Sequence, residues 1–251
     1  MGVRVVVAGA SGDLGSRVAG QVAGRGHEVV PASRRTGVDL VSGDGLAAAL
    51  AGADTVVNCA DDPSRGDWVT VYGARRLADA AAEAGVHLVH ISIVGIDDHP
   101  LGYYRRKVRA EQGIQAAGGP ATVLRATQFH SLAAHLASRL SAGPFVGQVG
   151  EMAFQPVDTD WVAERLADLA LGARPTAYLR ASDLAGPDVL TVADIATLLR
   201  ARRGASAPRV VRVPPLGGTL RAFAERRNVP TPGAAQTGGR TFAEWVAAES
   251  R

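Results

Sequence analysis

The sequence predicts a doubly wound α/β fold, with a parallel sheet in its first half and a small, mostly helical lobe in its second. Three observations carry that expectation. Short Val-rich runs alternate with Ala-rich stretches from Val3 to Arg125, as parallel strands alternate with crossover helices. A glycine-rich loop joins the first run to the first helical stretch. Beyond Gly143, nine of the 13 prolines cut the chain into short pieces.

Six parallel strands are expected, at Val3–Ala8, Glu28–Ala32, Val38–Leu40, Thr55–Asn58, Leu88–Ser92 and Thr122–Arg125. Between them Leu14, Val18 and Val22 recur every fourth residue as one helical stripe. Trp68, Val71, Arg75 and Ala78 suit a second helix. Gly24 and Gly26 should end the first helix and Gly85 the later one. In the second half, helices are expected over 159–171, 191–203, 216–227 and 241–249. The division is expected near residue 155: a binding domain over 1–155, with a substrate lobe over 156–251 packed on it as one compact unit. That lobe is poor in aromatics, and its pocket is expected to draw on Phe145, Met152 and Phe154.

Composition removes several classes of function. Of 251 residues 47% are apolar and 20% charged, the profile of a globular enzyme rather than a disordered chain. The apolar run near the start, Val5–Ala10, is far below the roughly 20 residues of a membrane span and too short for a signal peptide, so no membrane partner and a cytoplasmic location are expected. The single cysteine, Cys59, excludes an internal disulfide and a Cys-based metal site, and no metal is expected. Net charge is +3, yet residues 199–251 hold ten Arg against three Glu. Those arginines are dispersed among Pro and Gly without an aromatic platform, so a solvated surface is favoured and no nucleic-acid partner is expected. Oligomeric state is left open.

Gly9-Ala10-Ser11-Gly12-Asp13-Leu14-Gly15 follows the first strand and opens the first helix, the context in which a glycine fingerprint signifies a dinucleotide. Gly9 would allow the sharp turn, Gly12 the approach of pyrophosphate to backbone, and Gly15 close packing of helix on strand, while the helix N-terminus offers free N–H groups. This makes the doubly wound sheet a Rossmann-type one. The second strand ends Ala32-Ser33-Arg34-Arg35, with no carboxylate for the adenosine ribose. Ser33, Arg34 and Arg35 instead suit a 2′-phosphate, which favours NADP(H); a solvated loop is the alternative. Asp39 and Leu40 are expected to flank the adenine, and Asn58, closing the next strand, to line the cofactor site.

Tyr103 and Lys107 lie four apart and so share a helical face. A phenol near pKa ~10 is a poor acid or base at neutral pH, and an adjacent ammonium favours its phenolate. Lys107 is also the only lysine among 27 basic residues, a position where a compact ammonium is not replaced by guanidinium. A solvated basic face with Arg105, Arg106 and Arg109 is the alternative. Ser92 ends a strand whose carboxyl edge faces the cofactor crevice, where it would hydrogen-bond a substrate carbonyl. Thr127, Gln128 and His130 follow the sixth strand and are expected to shape the substrate pocket, His130 more by orienting its loop than as an acid. Asp158, Thr159 and Asp160 read as helix caps.

Through Gly9–Gly15, His90-Ile-Ser92-Ile-Val-Gly95, Tyr103-Tyr-Arg-Arg-Lys107, Leu124–His130 and Pro156-Val-Asp158, the chain resembles the short-chain dehydrogenase/reductase superfamily and, within it, the atypical NmrA-like group. The resemblance implies a Rossmann fold with a small C-terminal lobe and NADP(H) binding. In catalytic members it implies hydride transfer to a small molecule, with Tyr as acid/base, Lys on the nicotinamide ribose and Ser on the substrate. The strand end Val57-Asn58-Cys59-Ala60 departs from the alanine-glycine turn of many relatives. The leading expectation is therefore an NADPH-dependent oxidoreductase reducing a carbonyl or conjugated carbon. A non-catalytic NADP(H) sensor, or an isomerase, cyclase or epimerase that retains its cofactor, is the alternative.

Overall fold

Val5, Val6 and Val7 are wholly buried, because a parallel strand covered by helices on both faces has no solvent side. The computed structural model describes residues 2–249. In chain order its elements begin β1 (Arg4–Ala8), α1 (Asp13–Gly24), β2 (Glu28–Ala32), α2 (Leu46–Leu50), β3 (Thr55–Asn58), α3 (Ala74–Glu83), β4 (His87–Ile93), α4 (Gly102–Ala116) and β5 (Ala121–Ala126). They continue α5 (His130–Arg139), β6 (Ser141–Ala142), β7 (Phe145–Val149), β8 (Ala153–Phe154), α6 (Thr159–Leu171), β9 (Tyr178–Arg180), β10 (Asp183–Ala185) and β11 (Leu190–Thr191). The last are α7 (Val192–Arg202), β12 (Arg209–Val213), α8 (Gly217–Ala224), β13 (Ala235–Thr237) and α9 (Phe242–Ala248).

The chain forms two compact units, each assembled from separated segments where the sequence suggests a single boundary near 155. The first comprises Met1–Ser92, Gly102–Arg125 and Ala163–Ala181; the second Ile93–Leu101, Ala126–Val162 and Ser182–Arg251. In the first unit the strands run parallel in the order β2-β1-β3-β4-β5, with β9 against β5. Ala8 pairs with Asn58, and Asn58 with His90, so the carboxyl ends of β1, β3 and β4 lie level. Gly26 and Gly85, at φ 80° and 67°, follow α1 and α3 in the left-handed region, as helix-ending glycines do. One face of the sheet closes over a core that includes Val6, Val56, Leu77, Leu88 and Ile114.

Two local features differ from expectation. Val38–Leu40 is a turn rather than a strand: the Asp39 carboxylate accepts from Val41 N at 2.7 Å, and Gly43 N donates to Asp39 O at 2.7 Å. Glycines with positive φ at 37, 43 and 45 bend this segment too tightly for extended pairing. A π-helical turn, Trp68–Gly73, leads directly into α3, so the expected helix begins with a wider coil.

Helix α4 carries an inward polar stripe. Lys107 and Glu111 are only 4% and 6% exposed, one turn apart. Arg125 of β5 meets Glu111 with two parallel hydrogen bonds of 2.8 and 2.7 Å, both side chains buried. A fork of this kind fixes orientation as well as charge, and it holds α4 on β5.

The second unit is less helical than expected. Besides α5, α7, α8 and α9 it contains a three-stranded sheet, β12-β7-β6, with β7 and β12 parallel, and a parallel pair β10-β13. Its core gathers Phe154, Met152, Ile195 and Phe242. Met152 and Phe154 are thus core residues, whereas Phe145 is exposed. Asp158 accepts from Asp160 N and pairs with Arg240 at 2.6 Å, a capping and tethering role.

Removing one partner of a buried ion pair leaves an uncompensated charge. Glu111→Ala is expected to cost about 3–5 kcal/mol, read as a lower urea midpoint at unchanged slope. A loss below ~1 kcal/mol would show that the pair is not what holds α4 in place.

Candidate functional site

Two glycines of the loop after β1 are demanded by the fold itself. Gly9 has φ 78°, and a Cβ there would lie 2.7 Å from Ala60 N. A Cβ on Gly15 would lie 2.2 Å from Gly9 O, so helix and loop touch backbone to backbone. Gly12 is different: its φ of −85° suits any residue, and an added Cβ would meet only Gly9 O, at an ordinary 3.4 Å. Its missing side chain answers no need of the chain's own packing. It leaves the start of α1 open, with no side-chain cap on the first-turn N–H groups.

The loop opens on a cleft within the first unit. Gly9, Ser11 and Gly12 line it together with Ser33, Arg34, Asp39, Leu40, Ala60, Asp61 and Arg65. Asp13, beside it, is exposed and paired to Arg17, while Leu14 is buried. Ser33 caps the short turn Arg34–Thr36, which presents Arg34 and Arg35 to solvent, neither with a carboxylate partner among the described residues. Arg34 borders the cleft and Arg35 does not; Arg65, which the sequence did not single out, supplies a second cation there. Asn58 is buried and its carboxamide oxygen accepts from Ala60 N at 3.1 Å, shaping the turn that follows β3.

Tyr103 and Lys107 do share a face, and both reach Asp61. The Tyr103 hydroxyl donates a short hydrogen bond to Asp61 Oδ2, and Lys107 Nζ lies 3.4 Å from the same oxygen. Thr70, brought in by the π-helical turn, donates to Asp61 Oδ1 at 2.6 Å. Lys107 Nζ also donates to Ile91 O at 3.3 Å. Asp61 is the functional residue that sequence reasoning missed. A signal existed: an only lysine that is buried needs a counter-charge, and a carboxylate just beyond a central strand's carboxyl end is placed to supply it.

This carboxylate reverses the expected electrostatics. Burial works to raise Asp61, but Lys107 and the hydrogen bonds from Thr70, Tyr103 and Lys107 prevail and hold it below the ordinary range. Burial, the Asp61 charge and the hydrogen bond to Asp61 push the Tyr103 phenol well above its usual value, so Lys107 does not make it a phenolate. Burial pushes the Cys59 thiol up to about 12, against the pull of Lys107. Burial, then Lys107, brings His90 down to about 3, so its ring is neutral.

Ser92 is buried, and its hydroxyl has no hydrogen-bond partner among the described residues. Thr127, Gln128 and His130 lie in the second unit, buried and engaged there. Thr127 donates to Gln155 O at 2.6 Å, Gln128 accepts from Asn228 at 3.4 Å, and His130 meets Pro156 O at 3.1 Å against the rings of Phe242 and Trp245. Among the described residues no His, Cys, Asp and Glu side chains cluster in a way that would hold a metal, and no helix is long and apolar enough to cross a membrane.

A mostly parallel sheet, flanking helices and a left-handed glycine turn after the first strand define a Rossmann-type α/β protein. Its chain belongs to the family described as RmlD substrate binding domain, whose model matches residues 3–211. It is 33% identical over 149 residues to a dTDP-4-dehydrorhamnose reductase of Mycolicibacterium smegmatis, covering 50% of this chain and 45% of that protein. It is 34% identical over 142 residues to a (4-alkanoyl-5-oxo-2,5-dihydrofuran-3-yl)methyl phosphate reductase of Streptomyces griseus, covering 51% and 48%. The chain thus spans about half the length of these curated relatives. A solved NADPH-dependent quinone oxidoreductase of Escherichia coli, complexed with NADPH, superposes with TM-score 0.74 at 18% identity, covering 98% of this chain and 100% of that one. A dTDP-4-dehydrorhamnose reductase of Clostridium acetobutylicum superposes at 0.64 and 17%, covering 86% of each. At these identities the two structures bear on fold alone.

Because Gly12 is free of internal packing demands, Gly12→Ala is expected to change stability by about 1 kcal/mol or less, while weakening dinucleotide binding at least about tenfold. Thermal melting beside fluorescence titration with NADPH separates the two. Unchanged affinity would dissociate Gly12 from ligand binding.

Proposed function

We propose that this protein is an NADPH-dependent reductase of a small molecule, with hydride going to a carbonyl or conjugated carbon and Tyr103 as the proton donor. The observation that carries this reading is the position of Asp61. It borders the same cleft as the glycine loop and Arg34, and it contacts Tyr103 and Lys107 directly. A cofactor site and an acid therefore lie within one side chain of each other. The reductase names of the curated relatives support the class.

In this reading Gly9, Ser11, Gly12, Asp13, Leu14 and Gly15 hold the pyrophosphate at the start of α1. Ser33, Arg34 and Arg35 take the 2′-phosphate, Asp39 and Leu40 flank the adenine, and Asn58 and Lys107 border the ribose. NADPH supplies a hydride when bound. Tyr103 gives its hydroxyl proton to the oxygen that gains charge, and the buried Ser92 hydroxyl steadies that oxygen. Lys107 keeps a fixed positive charge beside the reacting groups. Thr127, Gln128 and His130 shape the segment that follows β5. The motifs that resemble those of the NmrA-like group lie in these same stretches, and we read them as parts of a working site rather than of a sensor.

Arg34→Ala should weaken NADPH binding about tenfold or more while sparing NADH, since a guanidinium fork recognises phosphate and has no counterpart on a ribose hydroxyl. Tighter NADH binding by the parent protein would overturn the cofactor assignment. Tyr103→Phe should keep cofactor affinity and slow hydride transfer roughly 10²–10⁴-fold. The readout is single-turnover loss of nicotinamide absorbance with ketones, enones, quinones and keto-sugar nucleotides. Absence of oxidation with every substrate would turn the assignment toward a sensor; full activity of the phenylalanine variant would remove Tyr103 from the mechanism.

A further inference from the structure

The Tyr–Lys pairing leaves the direction of proton flow undetermined. An ammonium beside a phenol favours the phenolate, which is a base and suits oxidation of an alcohol; a phenol that keeps its proton is an acid and suits reduction. What lies between the two side chains decides which form is held. Here it is a carboxylate. Tyr103 donates to Asp61 Oδ2, Lys107 Nζ stands 3.4 Å from that oxygen, and Thr70 anchors the other oxygen at 2.6 Å. The Asp61 side chain is 24% exposed and that of Lys107 only 5%, so their charges act on each other with limited screening.

We infer that Asp61 is a third member of the reactive site, a positioning residue that holds Tyr103 in its protonated, proton-donating form by accepting the hydroxyl hydrogen bond and cancelling the charge of Lys107. The inference rests on the reading of Tyr103 as the acid and adds its resting protonation state to it. In reduction the substrate carbon gains the hydride from NADPH, and its oxygen takes the Tyr103 proton. The hydroxyl turns from Asp61 to the substrate to deliver it, Lys107 remains beside the carboxylate, and water returns a proton to the phenolate. The phenolate left after transfer stands beside the ionised Asp61, and like-charge repulsion drives its return to the protonated resting form.

The other groups around the phenol do not supply this bias. On α4, the Tyr104 ring lies 6.3 Å from that of Tyr103 and opposes the phenolate, while Arg106, its guanidinium carbon 6.0 Å from the Tyr103 ring centre, favours it. From β4 the neutral His90 contributes no charge, and neither does the un-ionised Cys59 after β3. Arg65 and Asp62 border the same cleft with opposite charges. Burial is the first cause that keeps the proton on Tyr103, and Asp61 is the charged group whose removal should ease its ionisation.

The test reads the phenol itself, without a substrate. Tyrosinate absorbance is followed from neutral to alkaline pH in the parent protein, Tyr103→Phe, Asp61→Asn and the Asp61→Asn/Tyr103→Phe double variant. Asparagine keeps the shape and an acceptor oxygen but removes the charge, and circular dichroism checks that each variant is folded. The difference between Asp61→Asn and the double variant isolates Tyr103 among the four tyrosines. Its midpoint is expected at least about one pH unit below that given by the parent protein and Tyr103→Phe. Equal midpoints, or a Tyr103 step at or below ~10 in the parent protein, would overturn the inference. If the midpoint shifts as expected but Tyr103→Phe is fully active, the electrostatic arrangement stands and the assignment of Tyr103 as the acid fails.

Discussion

The site depends on burying one ammonium. Lys107 is almost inaccessible to water, and a charge in that position persists only with an opposite charge and hydrogen-bond acceptors around it. Asp61 and the Ile91 carbonyl meet that requirement. Each in turn fixes something else. Ile91 belongs to β4, level with the ends of β1 and β3 through the pairing of His90, Asn58 and Ala8. Asp61 follows β3 and is held by Thr70, which calls for the wider coil before α3. The lysine thus ties together three strand ends, a π-helical turn and α4.

Chemistry follows from that geometry more than from any one residue type. A phenol, an ammonium and a carboxylate sharing one oxygen form a set whose net charge differs from that of a Tyr–Lys pair, and the charge decides whether the phenol gives or takes a proton. Within the cleft, Arg34 and Arg65 stand on separate segments, so the positive charge facing an anionic ligand comes from two places and not from the Arg34–Arg35 dipeptide alone.

Much of this was legible in the sequence, and the exceptions share a cause. The Val-rich runs of β1 to β5 could be read because burial on both faces of a parallel sheet writes itself as unbroken apolar residues. Val38–Leu40 has the same composition, but three residues between glycines of positive φ close into a turn. Strands β7 and β12 pair across some sixty residues, and exposed Val210 and Val211 between arginines gave no sign of a partner. The glycine loop and the Tyr–Lys spacing were visible because both are local. Asp61 was not: three residues past a strand end it has no periodicity, and Tyr103 and Lys107 lie more than forty residues downstream. Glu111 looked like an ordinary surface glutamate, since its inward direction shows only once Arg125 is placed opposite it.

The pairing of Glu111 with Arg125 has a bearing on how reliably working molecules are made. Tyr103, Lys107 and Glu111 are spaced by fours on one helix, and the last is clasped by a fork that tolerates neither a slip along the helix axis nor a rotation about it. A helix docked one residue out would strand an arginine, a glutamate and a lysine in an apolar interior at the same moment. Misaligned chains therefore fail as folded proteins rather than persisting as folded but inert ones. Folding itself proofreads the alignment of Tyr103 and Lys107, and the population that survives carries them in register.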